Sequence, residues 1–107
     1  MEIEISQKDN FIIIGVSGEV DLFYSSQLRE EISNQLNQGN NVAVDLANVS
    51  YIDSSGVASL VEGLQSSKKI NLHFTLIATS KAVMQVLQLA RLDRVIPHVN
   101  TTEELQA

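Results

Sequence analysis

The chain contains no cysteine, a single proline, and only seven lysine and arginine residues against thirteen aspartates and glutamates. Without cysteine there are no disulfide staples, no thiolate zinc sites and no cysteine nucleophile, which suits a cytoplasmic protein. The shortage of basic residues leaves a net charge of −6. A net anion is repelled by nucleic acid and by anionic lipid headgroups, so neither is an expected partner. No apolar run approaches the roughly 20 residues of a membrane span. The start, Met1-Glu2-Ile3-Glu4-Ile5, has neither the basic residues nor the apolar run of a signal peptide. Direct membrane insertion is therefore not expected.

The chemistry of catalysis is equally sparse. His73 and His98 are the only histidines, and neither has a local partner arrangement. Two isolated histidines without cysteine do not make a metal site, and they offer a serine no evident base. The Gly-x-Ser-x-Gly elbow, the P-loop and the dinucleotide fingerprint are absent. No catalytic residue, metal or cofactor is expected, and the protein is not read as an enzyme. Apolar residues make up 44% of the sequence and charged residues 19%, a globular composition that excludes disorder. A length of 107 residues provides for one domain, residues 1–107, and no second core.

The hydrophobic pattern predicts an α/β order of elements. Ile3 and Ile5 alternate with Glu2 and Glu4, as on a half-exposed edge strand. After the turn cluster Gln7-Lys8-Asp9-Asn10, the β-branched run Phe11 to Val16 reads as a strand with little solvent on either face. Gly18-Glu19-Val20-Asp21 reads as a polar loop. Leu28, Ile32 and Leu36 then mark a helix from about Tyr24 to Asn37, with Ser25 or Ser26 as N-cap and Gly39 as its stop. A strand at Val42, Val44 and Leu46 is followed by a loop from Ala47 to Asp53. Val57, Leu60, Val61 and Leu64 form the stripe of a second helix. Leu72, Phe74 and Leu76 give a fourth strand. Ser80 caps a third helix striped by Val83, Val86, Leu87 and Ala90, and Val95-Ile96 is a minimal last strand closed by Pro97. Thr101 with Glu104 forms a capping box for a final helical turn. Right-handed crossovers predict a mostly parallel sheet of about five strands, an antiparallel first strand at its edge, and helices mainly on one face.

One loop stands out in this order. Tyr51-Ile52-Asp53-Ser54-Ser55-Gly56 leads from the third strand into the second helix, where open α/β sheets collect ligand and partner sites. The simplest reading is an N-cap by Asp53 or Ser54. A hydroxyl at a helix N-terminus also faces unpaired N–H groups and the positive end of the macrodipole, which welcome a phosphate. Gly56 would leave the hydroxyls open to approach. In Leu22-Phe23-Tyr24, the simpler expectation is that Phe23 packs under the first helix as a staple; standing exposed, it could anchor a partner.

Three segments carry a resemblance that covers nearly the whole chain. They are Gly18-Glu19-Val20-Asp21, the run Val42-Ala43-Val44-Asp45-Leu46 with Val49 to Val57 behind it, and the stretch Val86 to Ile96 with Leu92 and Val95. Together, and in this order, they resemble the STAS domain, specifically the bacterial anti-sigma factor antagonists. The resemblance implies the STAS fold and a partner-switching role. Ser54 falls on the family's phosphoacceptor serine, Asp21 on the acidic residue beside it, and Asp53 and Ser55 on its flanks. The implied partners are an anti-sigma factor that is also a serine kinase and a metal-dependent serine/threonine phosphatase. Asp21, Phe23, Asp53, Ser54, Ser55, Gly56 and Val57 are the expected contact residues. The unphosphorylated form would occupy the kinase and free a sigma factor, and phosphate on Ser54 would end that binding through charge and hydration. Val57-Ala58 departs from the family's usual Leu-Gly at this point. It is reminiscent of STAS accessory subunits that bind the ATPase of lipid-transport ABC systems, which is the alternative reading.

Overall fold

The computed structural model describes residues 1–106. Strands β1 (Glu2–Lys8), β2 (Phe11–Val20), β3 (Asn41–Ile52), β4 (Phe74–Ile77) and β5 (His98–Val99) form one sheet in the order β1-β2-β3-β4-β5. Helices α1 (Ser25–Asn37), α2 (Ser54–Lys69) and α3 (Lys81–Leu89) connect the parallel strands, and a 3₁₀ turn, Thr102–Glu104, follows β5. β1 pairs antiparallel with β2, and the other pairings are parallel. The expected mixed sheet with an antiparallel edge strand is therefore found.

The helices do lie on one face. Leu28, Ile32 and Leu36 of α1, Val57, Leu60 and Leu64 of α2, and Val83 and Leu87 of α3 share one buried cluster. Their counterparts from the sheet are Ile14, Val16, Val42, Val44, Phe74 and Leu76. Each such side chain taken fully out of water contributes roughly 1.5–3 kcal/mol, which is why the spacing-of-four stripes settle onto this face. The opposite face holds a smaller cluster, Phe11, Ile13, Ala43 and Ile77, with Val99 and Leu105 packed against it.

Two helix ends follow the expected chemistry. Past α1, Gly39 takes the left-handed conformation (φ 86°). Its N–H reaches the Leu36 carbonyl at 2.9 Å and that of Asn40 reaches Gln35 at 3.1 Å, the paired bonds of a Schellman stop. Ser80 accepts from the Val83 N–H at 3.3 Å and donates to the Val49 carbonyl at 2.7 Å, so one hydroxyl both caps α3 and ties it to β3.

Six expectations need correction. β2 runs on through Gly18, Glu19 and Val20, and β3 runs on through Ala47 to Ile52, so both expected loops are largely strand. Their alternation is hidden by two register shifts, between Gly15 and Ser17 and between Gly18 and Glu19, which reset the side-chain faces. Neither Ser25 nor Ser26 caps α1, whose N-cap position is Tyr24 with no side-chain bond to the helix; Asp21 instead holds the turn that leads into it. Leu72 lies before β4. The last strand is His98–Val99 rather than Val95-Ile96, so Pro97 precedes it, its carbonyl accepting from Leu76 at 2.9 Å. Finally, Thr101 donates to the Glu104 carboxylate at 3.3 Å but makes no side-chain bond to the backbone of the turn.

Gly56, in the first turn of α2, fixes how closely that helix meets the sheet. A Cβ there would stand 2.7 Å from Ile52 Cγ1 and 2.9 Å from both Val20 Cγ1 and the Val20 carbonyl oxygen. The last contact is with backbone, which cannot give way cheaply. Gly56→Ala is therefore expected to cost about 1–3 kcal/mol. In urea, its midpoint should fall while the slope stays unchanged; a wild-type midpoint would contradict this packing.

Candidate functional site

The β2–α1 and β3–α2 connections meet at the carboxyl ends of the two longest strands. The backbone joins them first: the Asp53 N–H donates to the Val20 carbonyl at 3.2 Å. Asp53 then caps α2 with its side chain. Its Oδ1 accepts from the Ser55 N–H at 3.0 Å, the Gly56 N–H at 3.2 Å and the Ser55 hydroxyl at 2.5 Å. Its Oδ2 crosses to the other connection and accepts from the Leu22 N–H at 3.1 Å. The bond from the Ser55 hydroxyl is the main reason the Asp53 carboxyl sits below its usual range. Partial burial works the other way, and the Gly56, Ser55 and Leu22 amides add to the lowering.

Asp21 organises the neighbouring turn. Its Oδ1 accepts from the N–H groups of Phe23 (3.1 Å) and Tyr24 (3.2 Å), and its carbonyl accepts from Ser25 at 2.8 Å. The Asx-type turn supplies the start of α1, leaving the Ser25 hydroxyl to donate to Leu22 and lie buried. Behind both loops, the buried Ser59 hydroxyl lies 3.1 Å from the carbonyls of Ser25 and Ser55, linking the first turns of α1 and α2.

The two adjacent serines differ sharply. Ser55 is half-buried with its hydroxyl engaged by Asp53, whereas Ser54, the first residue of α2, is exposed. The expectation of unpaired amides awaiting an anion needs correcting here, because Asp53 already accepts from the N–H groups of Ser55 and Gly56. Gly56 and Val57 are buried beneath the loop. Gly56 admits the sheet rather than a partner, and Val57 belongs to the core, so neither offers a side chain at the surface.

Phe23 is not a staple. It is 80% exposed, and Leu22 beside it is 77% exposed, because the Asp21 turn and the Leu22–Asp53 bond hold both residues outward. The ring of Phe23 meets that of Tyr24 edge to face at 4.9 Å, which steadies it without burying it. Leu22 is a surface residue that the sequence pattern did not single out as a contact; an apolar residue between a turn-forming aspartate and a helix start was the available signal. His73, just before β4, and His98, in β5, are both exposed: His73 lies against Phe11, and the His98 ring meets the Asp93 carbonyl at 3.0 Å. Among the described residues, no group of three His, Cys, Asp or Glu side chains is disposed to hold a metal. No helix among them is long and apolar enough to cross a membrane.

The STAS domain model matches residues 2–105, and the chain belongs to the STAS domain family. Over 107 residues it is 28% identical to the anti-sigma-B factor antagonist of Staphylococcus epidermidis, an alignment covering 99% of this chain and 98% of that one. The antagonist of Bacillus subtilis is 30% identical over 69 residues, which span 64% of this chain but only 63% of the relative. These relatives are regulatory antagonists rather than enzymes. The fold matches an anti-sigma factor antagonist of Mycobacterium paratuberculosis at a TM-score of 0.83, with 21% identity and coverage of 96% and 88%. It also matches SpoIIAA in its unphosphorylated form (TM-score 0.74, 22% identity, coverage 96% and 92%). The phosphorylated Bacillus form gives 0.73, with 23% identity and coverage of 96% and 95%.

Asp53→Ala should cost about 0.5–2 kcal/mol as an N-cap loss. Because folding lowers the Asp53 pKa, its contribution is complete above the unfolded value, about 3.9, and disappears as pH falls through the folded value. The stability gap between wild type and Asp53→Ala should thus narrow once pH drops below about 4. Denaturant melts at stepped pH measure it; a gap that persists undiminished to strong acid would show that the cap does not act through its ionised form.

Proposed function

We propose that this protein is an anti-sigma factor antagonist whose docking surface is the paired β2–α1 and β3–α2 connections, switched by phosphorylation of Ser54. In its unphosphorylated form it binds an anti-sigma factor that is also a serine kinase, and so releases a sigma factor. A serine/threonine phosphatase restores that form. The observation that carries this reading is the contrast between neighbouring hydroxyls. Ser54 is exposed at the start of α2, while the Ser55 hydroxyl is held by Asp53. A kinase approaching this loop has one hydroxyl free to receive a phosphoryl group.

The surroundings favour a switch that acts on binding. Phosphate adds about −1.5 to −2 charge beside the Asp53 carboxylate, whose own charge already complements the first amides of α2. Little helix-end potential is left to offset the new anion, so its charge and hydration oppose burial in a protein interface. The core lies beneath and is not asked to move. The fold's similarity to both forms of SpoIIAA, at TM-scores of 0.74 and 0.73, fits a phosphate accommodated without a change of fold. Exposed Leu22 and Phe23 supply the apolar contact such a surface needs, in the manner of an anchor residue.

Isothermal titration of the cognate anti-sigma kinase with unmodified and Ser54-phosphorylated protein tests the reading. Phosphorylation should weaken binding at least about tenfold, equivalent to 1.4 kcal/mol, with the thermal melt little altered. Phe23→Ala should weaken binding by about 1–2 kcal/mol or more without destabilising the fold. Equal affinity for both phosphorylation states would refute the switch. Co-purification with an ABC ATPase, with no phosphate on Ser54, would instead identify an accessory subunit.

A further inference from the structure

The strand β1 ends the sheet at an open edge. It pairs with β2 along Glu2 to Lys8, and no strand among the described residues pairs with its other side. Such an edge is a template for another strand. The other edge strand, β5, has only two residues, so β1 offers much the longer template.

We infer that β1 pairs antiparallel with β1 of a second copy of this chain, centred on Ile5, to give a two-fold dimer with one continuous sheet. The sequence of the strand is complementary to itself in this register. Residues whose numbers sum to ten face one another, so Glu2 stands opposite the partner copy's Lys8, and Lys8 opposite its Glu2. Glu4 meets Ser6, Ile3 meets Gln7, and Ile5 meets Ile5 on the axis. Both charged pairs lie on the face away from the helices, since Glu2 and Lys8 share the strand's alternation with Glu4. Opposite charges directly across a strand pair are favourable and like charges are not. A pairing centred on Glu4 would set that carboxylate against its copy, and parallel in-register pairing would repeat every charge.

Two further features fit a second copy. Ile5 is 43% exposed although its neighbour across the ladder, Ile14, is fully buried. The helix layer therefore stops short of the edge and leaves Ile5 an apolar surface for its twin. On the opposite face, Glu2, Glu4 and Asp45 line a trough of about 420 Å³ floored in part by Gly15. This concentrates negative charge near one end of β1, and the partner's Lys8 would place a cation there. The interface is isologous, as a two-fold dimer requires. A seven-residue ribbon is small beside a stable interface, so a weak dimer is expected, with a Kd on the order of 100 μM to 1 mM. The inference does not depend on the function proposed above.

Sedimentation of the full chain at about 0.15 M salt, over a dilution series from about 10 μM to 1 mM, tests it. The weight-average mass should rise from monomer toward dimer. Glu2→Lys and Lys8→Glu should each weaken self-association at least about tenfold, because each sets like charges opposite one another twice. The double variant Glu2→Lys with Lys8→Glu should restore it, since the pairs are then reversed but intact. Circular dichroism melts confirm that each variant is folded. A monomer mass throughout the wild-type series, or single variants that associate like wild type, would overturn the proposal, as would failure of the folded double variant to recover.

Discussion

One carboxylate holds the β2–α1 and β3–α2 connections together. Asp53 accepts from two amides and a hydroxyl of its own helix start and from the Leu22 amide across the β2–α1 connection. These bonds pin the first turn of α2 and orient the loop that carries Leu22 and Phe23. They also take up the Ser55 hydroxyl. An ionised acceptor strengthens each bond, and bonds from two connections converge on one group. The exposure of Ser54 and Phe23 is thus a consequence of where Asp53 sits. The backbone contact of Asp53 with Val20 and the close approach at Gly56 set that position from the core side.

The same arrangement alters how a phosphate on the neighbouring serine should be understood. A bare helix N-terminus attracts an anion through its free amides and its dipole. Here the amides nearest the start already face a carboxylate. A new phosphate would compete with Asp53 for those donors or turn outward into solvent. Turning outward leaves the cap intact and places charge on the outer surface; displacing Asp53 would loosen the Leu22 tether. Either outcome would act on the outer loop before the core, where Val57 and Leu60 keep α2 on the sheet.

Most of the architecture was legible because it rests on periodicity. Leu28, Ile32 and Leu36, and likewise Val57, Leu60 and Leu64, are spaced to cover one face, and the structure buries every one of them. Ser80 and Gly39 were legible for a different reason, since local chemistry alone gives them their cap and stop. The extended ends of β2 and β3 were not legible. Register shifts after Gly15 and Gly18 break the alternation, and the polar residues that read as loop are the ones facing solvent on a continuing strand. At the candidate site, the pattern located Asp53 and Ser54 but assigned the wrong reasons to their neighbours. Gly56 looked like open space and is a point of close packing. Phe23 looked like a staple because its exposure is imposed by a bond between Leu22 and a residue 31 positions away, which no local pattern encodes.

The division of the sheet between its two faces explains why these features can coexist in so short a chain. All three helices cover one face, leaving the carboxyl ends of β2 and β3 to carry the loops and the far edge to β1. A small domain gains little from surface salt bridges: the Arg29–Glu62 pair, at 2.7 Å, joins two side chains about half exposed, and such pairs contribute at most about 1 kcal/mol. Stability therefore rests on the helix-side cluster, and the charged residues are free of that task. Glu2, Glu4 and Lys8 keep the β1 edge polar, which discourages indiscriminate strand addition, and a pairing centred on Glu4 is disfavoured by like charge. Polar edge and exposed Ser54 thus follow from the same division, in which the buried face holds the fold and the surface carries the polar residues.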